Sequence, residues 1–335
     1  MKKFGVIFLI CVLILILGIA IRFCFIKKVG EEHIACINEE LLDYEKSIEG
    51  MTVIMFGGSN QENKGNVNSM GYLIKTKNNE VILIDGGRNF DTDLVKFFID
   101  KYGNGKVDHW FITHAHSDHV GAMCDLIKQE NNLQIENIYV SLLSDEWYKE
   151  HDKRGYESEH AFLESLSSNK IKNIVNCQEG QVIKIDNIRC DIIRVANPEI
   201  TNSDNGNEAS MVFKVTAEDV NKSMIFLGDA MKKASEELLN EHKDKLKADA
   251  VQMAHHGQNG VTKEVYDAID PDVCFYNSPK WLWNNDNGGG ENSGSWQTLI
   301  VRNEWMKDKG VTNYVAFEGD QTVRFTSEGL IEVEE

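Results

Sequence analysis

The sequence predicts an α/β protein: a four-layer αββα sandwich preceded by one N-terminal transmembrane helix. Three observations predict it. An apolar run fills residues 4–26. Two successive blocks each show short apolar strands in a meander followed by strand–helix units. Aspartates, histidines and glycines gather where those strands end. Meander-then-βα blocks can stack two sheets face to face with helices outside.

The apolar run reads FGVIFLICVLILILGIAIRFCFI and only Arg22 interrupts it, close to its end. Twenty-odd apolar residues match a hydrocarbon core of roughly 30 Å, and a terminal arginine can reach the headgroups. Lys2 and Lys3 precede the span, and Lys27 and Lys28 follow it. Gly18-Ile19-Ala20 is a weak cleavage-like site, but apolar sequence continues past it, which favours an uncleaved anchor. Residues 1–28 are therefore expected to be a single-pass anchor in the cell membrane, 29–49 an acidic juxtamembrane spacer, and 50–335 one globular domain. A short basic tail before the span favours an external domain.

The chain has 53 acidic and 35 basic residues, a net charge of −18. Without residues 1–28 the remainder stands at −23. Such a surface repels polyanions, so a nucleic-acid partner is disfavoured. Hydrophobic residues are 42%, which excludes a disordered chain. Outside the span the cysteines (Cys36, Cys124, Cys177, Cys190, Cys274) are scattered and lack metal-type spacing. A hairpin turning at Asp186-Asn187 sets Cys190 opposite a residue near Ile183, not Cys177, so buried or free thiols are expected.

Alternation and turn residues place strands at 52–56, 71–76, 81–84, 109–113 and 135–141, with helices at 92–102, 120–129 and 145–167. The second half predicts strands at 182–185, 188–195, 210–216, 222–227, 250–254, 272–276, 313–317 and 322–326. Its helices fall at 233–245, 262–269 and 297–308. Asp91-Thr92-Asp93 reads as a helix N-cap. Gly57-Gly58-Ser59-Asn60 reads either as a loop bordering a site or as only a turn.

The strongest chemical signal is Thr113-His114-Ala115-His116-Ser117-Asp118-His119, after an apolar strand and before a helix. The whole chain has only ten histidines. Imidazole and carboxylate are ligands for Zn2+ and similar ions. A loop at a strand end lets His114 and His116 turn to one ion while Asp118 and His119 face a second. Other polar residues close strands beside glycine: Asp85 before Gly86-Gly87, Asp229 after Gly228, and His255-His256 before Gly257. Any one of these alone would be a turn former. Together they predict one rim where loops meet. Asp229 could bridge two cations. One of His255 and His256 would complete the second ion's shell, and the other could contact substrate.

These residues resemble the metallo-β-lactamase superfamily over about residues 51–326. The motifs are LIDGG (83–87), THAHSDHVGA (113–122), FLGDA (226–230) and AHHG (254–257). The resemblance implies the αββα fold and two divalent ions, Zn2+ or alternatively Mn2+. It implies one site at His114 and His116, and a second at Asp118, His119 and a histidine of the 255–256 pair. Asp229 would lie between the sites and Asp85 behind a ligand. Many members place a further histidine between the two histidine motifs. Here only His151 and His160 are available, and neither closes a strand. The pattern Asn207-x-x-Ser210-x-Val212 with His-His-Gly resembles the branch of the competence DNA-uptake hydrolase domain and the phosphorylcholine esterases, with Asn207 near the metals. The missing histidine counts against a true β-lactamase or glyoxalase.

Two such ions activate a water and stabilise charge on a phosphoryl group. The expected function is a hydrolase of phosphodiester or phosphorylcholine-type esters, acting through a metal-bound hydroxide oriented by Asp118. The second of the paired histidines, His256, is a candidate proton donor. Its substrate would be a small or cell-surface phosphoester. Trp281 and Trp283 could wall the pocket, since residues two apart share a face if the segment is extended. The alternatives are a nuclease-like relative and a metal-binding module without turnover.

Overall fold

The strands form where β-branched and aromatic residues cluster between turn residues. The computed structural model describes residues 49–61, 67–201 and 205–333. The expected anchor (1–28) and nearly all of the spacer lie outside the described residues. Among the described residues no helix is long and apolar enough to cross a membrane.

The first sheet contains β1 (Met51–Met55), β2 (Gly71–Lys75), β3 (Val81–Asp85), β4 (Lys106–Phe111), β5 (Gln134–Val140), β6 (Ile171–Asn176), β14 (Gln321–Thr326) and β15 (Gly329–Glu332). Its order is β15-β14-β1-β2-β3-β4-β5-β6. The second contains β7 (Val182–Ile185), β8 (Ile188–Arg194), β9 (Val212–Ala217), β10 (Lys222–Phe226), β11 (Ala250–Gln252), β12 (Val273–Tyr276) and β13 (Thr312–Val315), in the order β13-β12-β11-β10-β9-β8-β7. In both, an antiparallel meander passes into parallel pairing, from β3 to β6 and from β10 to β13.

Alternation gives each sheet two apolar faces. The facing sides share one core that includes Val53, Tyr72, Phe111, Phe213, Phe226, Phe275 and Phe325. Phe111 stacks on Phe213 and Phe213 on Phe226, at centroid separations of 5.1 and 5.3 Å, so aromatic rings connect the two sheets. On the outer side of the first sheet pack α1 (Thr92–Gly103), α2 (Ser117–Lys128) and, after α3 (Asp145–His151), α4 (Tyr156–Ser165). The one-turn α5 (Asn205–Glu208) follows β8, and on the outer side of the second sheet lie α6 (Lys232–Glu241) and α7 (Lys263–Ile269), burying Leu238 and Ile269. This is an αββα sandwich.

Several expected elements change form. The stretch 145–167 is two helices, α3 and α4, divided at Asp152–Gly155. Trp281 and Trp283 lie in α8 (Lys280–Trp283), not in an extended segment. The stretch 297–308 is a short helix at Thr298–Ile300 followed by a π turn and a 3-10 turn. Asp91 does not cap α1 through its side chain. Its carboxylate instead accepts from Ser59 N and Oγ, Ser69 Oγ and Arg88 N, tying three loops together. Strands β6 and β15 are additional to the expected set. The register Ile183↔Cys190 is observed, and Cys124, Cys177, Cys190 and Cys274 are buried free thiols.

Phe213→Ala removes the middle ring of the intersheet stack. It should destabilise the domain by about 3–5 kcal/mol, read as a lower denaturant midpoint with unchanged secondary structure by circular dichroism.

Candidate metal centre

Parallel pairing sets the C-terminal ends of β3 and β4 side by side, and likewise those of β10 and β11. Each end carries candidate ligand or supporting residues: Asp85 as the last residue of β3, the 114–119 loop after β4, Asp229 after β10, and His255-His256 after β11. The two sheets are stitched at this end by Met211 N, which donates to Thr113 O at 2.7 Å. Within the second sheet, His255 N donates to Gly228 O at 3.0 Å and ties the loop after β11 to the one after β10. Buried Gln252 also holds β10 to β11, accepting from Leu227 N and donating to Gly228 O.

The backbone turns hard here. Asp85, His255 and His256 have φ of 50°, 51° and 57°, the left-handed region that non-glycine residues avoid. Strain of this kind persists only where surrounding bonds over-determine it, and it clusters at functional sites. The adjacent Gly87, Gly228 and Gly257 also have positive φ.

The imidazoles are pinned one side at a time. Asp85 is fully buried and accepts from Thr113 N (2.8 Å) and Thr113 Oγ1 (2.7 Å), and its Oδ2 lies 2.7 Å from His119 Nδ1. A carboxylate only accepts, so His119 carries its hydrogen on Nδ1 and presents the Nε2 lone pair. His256 Nδ1 lies 3.0 Å from Asn277 O, which fixes the same tautomer. Thr113 Oγ1 spends its proton on Asp85 and so accepts from His114 Nδ1 at 3.2 Å. All three rings thus turn Nε2 inward. There, His114 Nε2, His119 Nε2, His256 Nε2 and Asp229 Oδ1 are buried and have no hydrogen-bond partner. Buried polar atoms without partners are costly. Such atoms gathered around His119 are the pattern a metal centre leaves, and imidazole with carboxylate suits a divalent ion.

The ligand atoms fall into groups within 4.8 Å of one another: His114, His119 and Asp229, and Asp118, His119 and His256. His119 Nε2 is 3.3 Å from Asp229 Oδ1, and His256 Nε2 is 3.3 Å from Asp118 Oδ2 and 3.5 Å from Asp229 Oδ2. Burial opposes charge on His119 and His256, but the carboxylates around them outweigh it, raising His119 well above the usual imidazole value and His256 to about 9, so a metal ion that takes either Nε2 must displace a proton there. The same contest holds Asp118 and Asp229 low: burial raises them, and the surrounding histidines pull them well below the carboxylate range. Burial and its histidine neighbours hold His114 well below the usual imidazole value.

The structure separates the paired histidines. His256 is fully buried among the ligand groups. His255 stands at the rim, its Nε2 3.8 Å from Asp229 and 3.5 Å from the Asn207 amide, its Nδ1 on Asn259 O. His116 takes a different course: its ring lies against His114, but its Nε2 meets Asp152 Oδ2 at 2.7 Å. Trp283 packs on Tyr276 and Phe317 under the Arg302 guanidinium and is partly buried against the core. Trp281 lies edge-on to Trp296, its indole N–H on Val67 O.

Several site residues escaped the sequence reading. Arg88 lies 3.5 Å from Asp118 and donates to Ser117 and Asn68. Glu208, inside the Asn207–Ser210 pattern, accepts from Met231 N, Lys233 N and Ala234 N and so caps α6 just beyond Asp229. Ser210 is named in the sequence pattern, but not its role: its Oγ accepts from Asp229 N. Asp152 and Glu159 are the remaining two. Glu159 shares a helical stripe with Phe162 and Leu166, and an acid on an apolar stripe is the signal that could have found it.

The family model "Metallo-beta-lactamase superfamily" matches residues 65–162, which hold the 114–119 loop. The domain has the metallo-beta-lactamase fold. CmlA, a diiron beta-hydroxylase from Streptomyces venezuelae, is 12% identical, with 83% of this chain and 55% of that chain covered and a TM-score of 0.50. YhfI, a metallo-beta-lactamase fold protein from Bacillus subtilis, is 13% identical, with 80% of this chain and 96% of that chain covered and a TM-score of 0.47. Unliganded yeast PDE1 is 10% identical, with 82% and 99% covered and a TM-score of 0.48. No curated protein matches the chain. Likeness at these identities concerns the fold. In this metallo-beta-lactamase fold, the His/Asp clusters suit a divalent-metal site.

Asp85→Asn keeps the shape but can present an amide N–H to His119 and release its ring. Metal affinity should fall roughly 10–100-fold, measured by competition with a chromogenic chelator, while circular dichroism stays unchanged.

Proposed function

We propose that this domain is a metal-dependent hydrolase of phosphodiester or phosphorylcholine-type esters. One observation carries the reading: the buried, unpartnered Nε2 atoms of His114, His119 and His256 turn together onto Asp229 and Asp118. When bound, divalent ions supply Lewis acidity and a water of lowered pKa. His114, His119, His256, Asp118 and Asp229 would hold them.

The chain's own residues do the rest. Arg88, at the rim beside Asp118, is a planar donor for phosphoryl oxygens. His255, at the rim with Asn207, is placed to hand a proton to the leaving oxygen, while buried His256 serves as ligand. Asp229 is held in place through its backbone N–H by Ser210 Oγ and by the capped helix that follows. The acidic chain repels free polyanions, so a small or surface-bound ester fits better than a nucleic acid. In this reading residues 4–26 anchor the domain to the cell membrane, the domain works outside, and the resemblance of the Asn207–Val212 pattern to phosphorylcholine esterases is what supports the substrate class.

With Zn2+ or Mn2+ present, the full chain should release nitrophenol from bis-p-nitrophenyl phosphate or p-nitrophenyl phosphorylcholine. His256→Ala should fall to background with its fold intact. Equal release by wild type and variant would end the hydrolase reading. Cutting of single-stranded DNA with the choline ester untouched would replace the substrate class.

A further inference from the structure

His116 stands at the residue just before α2, and its ring lies outside the His114/His119/Asp229 group and meets two acids from another part of the chain. Its Nε2 lies 2.7 Å from Asp152 Oδ2 and 3.7 Å from Glu159 Oε1. Asp152 closes α3, and Glu159 lies on α4. The three ligand atoms stand within 4.8 Å of one another.

Two independent features mark this cluster as built for a ligand. Glu159 is 0% exposed, and neither of its carboxylate oxygens has a hydrogen-bond partner. Two carboxyl oxygens buried without a partner are costly, and a cation held between them and the imidazole would satisfy them. Glycines supply the second feature. A Cβ on Gly155 would overlap His116 Nε2 and Asp152 Oδ2. One on Gly206 would overlap both of these and Glu159 Oε1. Neither glycine has a positive φ, so the backbone itself admits alanine there. What excludes a methyl group is the cluster, which two separate segments approach without side chains.

We propose that His116, Asp152 and Glu159 form a divalent-cation site of their own, beside the His114/His119/Asp229 and Asp118/His119/His256 groups. Two carboxylates to one imidazole favour an oxygen-preferring ion such as Mn2+. The site stands apart from the hydrolytic reading. It adds an ion where the expected third histidine is missing, and it employs the loop that divides α3 from α4.

The test counts bound Mn2+ by equilibrium dialysis on the chelator-stripped full chain in detergent micelles. Glu159→Gln is near-isosteric and should bind one ion fewer than wild type at saturation. Gly206→Ala, which fills the cradle, should lose the same ion. Asp229→Asn should retain it. Circular dichroism confirms the fold of each variant. Wild-type ion count and affinity in both Glu159→Gln and Gly206→Ala would overturn the site. Phosphodiester turnover on the same samples separates the two readings. If wild type shows no turnover yet Glu159→Gln loses an ion, the hydrolase fails and this site stands.

Discussion

The carboxylate of Asp85 is the constraint on which the centre depends. It ends β3 in a left-handed conformation and binds Thr113 through both backbone and hydroxyl. That one residue joins two parallel strands at the level of the loop, commits the Thr113 hydroxyl proton, and so sets the tautomers of His114 and His119. The inward direction of two lone pairs follows from it. His256 achieves the same through a main-chain carbonyl, Asn277 O. The metal groups are thus oriented by atoms behind them before any ion arrives, which limits the ordering cost of binding.

Burial decides the electrostatics. In water the His/Asp contacts of this rim would be worth little. Inside, with Asp229 and His256 nearly or fully buried, each unpaired group is costly and each pair strongly coupled. The chain tolerates this density of charge because the sandwich around it is held elsewhere, by the aromatic stack between the sheets and by an outer helical layer on each side. The helix after Asp229 starts on Glu208, whose carboxylate takes three backbone N–H groups, so the loop carrying Asp229 is fixed at both sides.

Much of this was legible in the residues. Alternating apolar runs place most strands within a few residues, and the two-residue turn at Asp186 gives the register Ile183↔Cys190. The 114–119 loop, Asp85, Asp229 and His255-His256 stand out because polar residues beside glycine close apolar strands. Strand β6, IKNIVN, escaped because it lies at the sheet edge with most of its side chains exposed and shows no clean alternation. The 145–167 stretch reads as one helix because nothing local shows that Asp152 must turn to His116. Trp283 reads as a pocket wall because Arg302, which stacks on it, comes from a distant segment. Partner choice across such distances, including the course of His116, is set by tertiary packing and not by spacing in the chain.

The central claim is that the inward Nε2 atoms and the Asp118 and Asp229 carboxylates share divalent ions. Anomalous X-ray scattering at the zinc edge, from crystals of the Zn2+-loaded full chain, tests it most directly. The account predicts anomalous density among His114, His119, His256, Asp118 and Asp229. Crystals grown at saturating Zn2+ that show no such density there, with the imidazoles hydrogen-bonded to one another or to water, would contradict it.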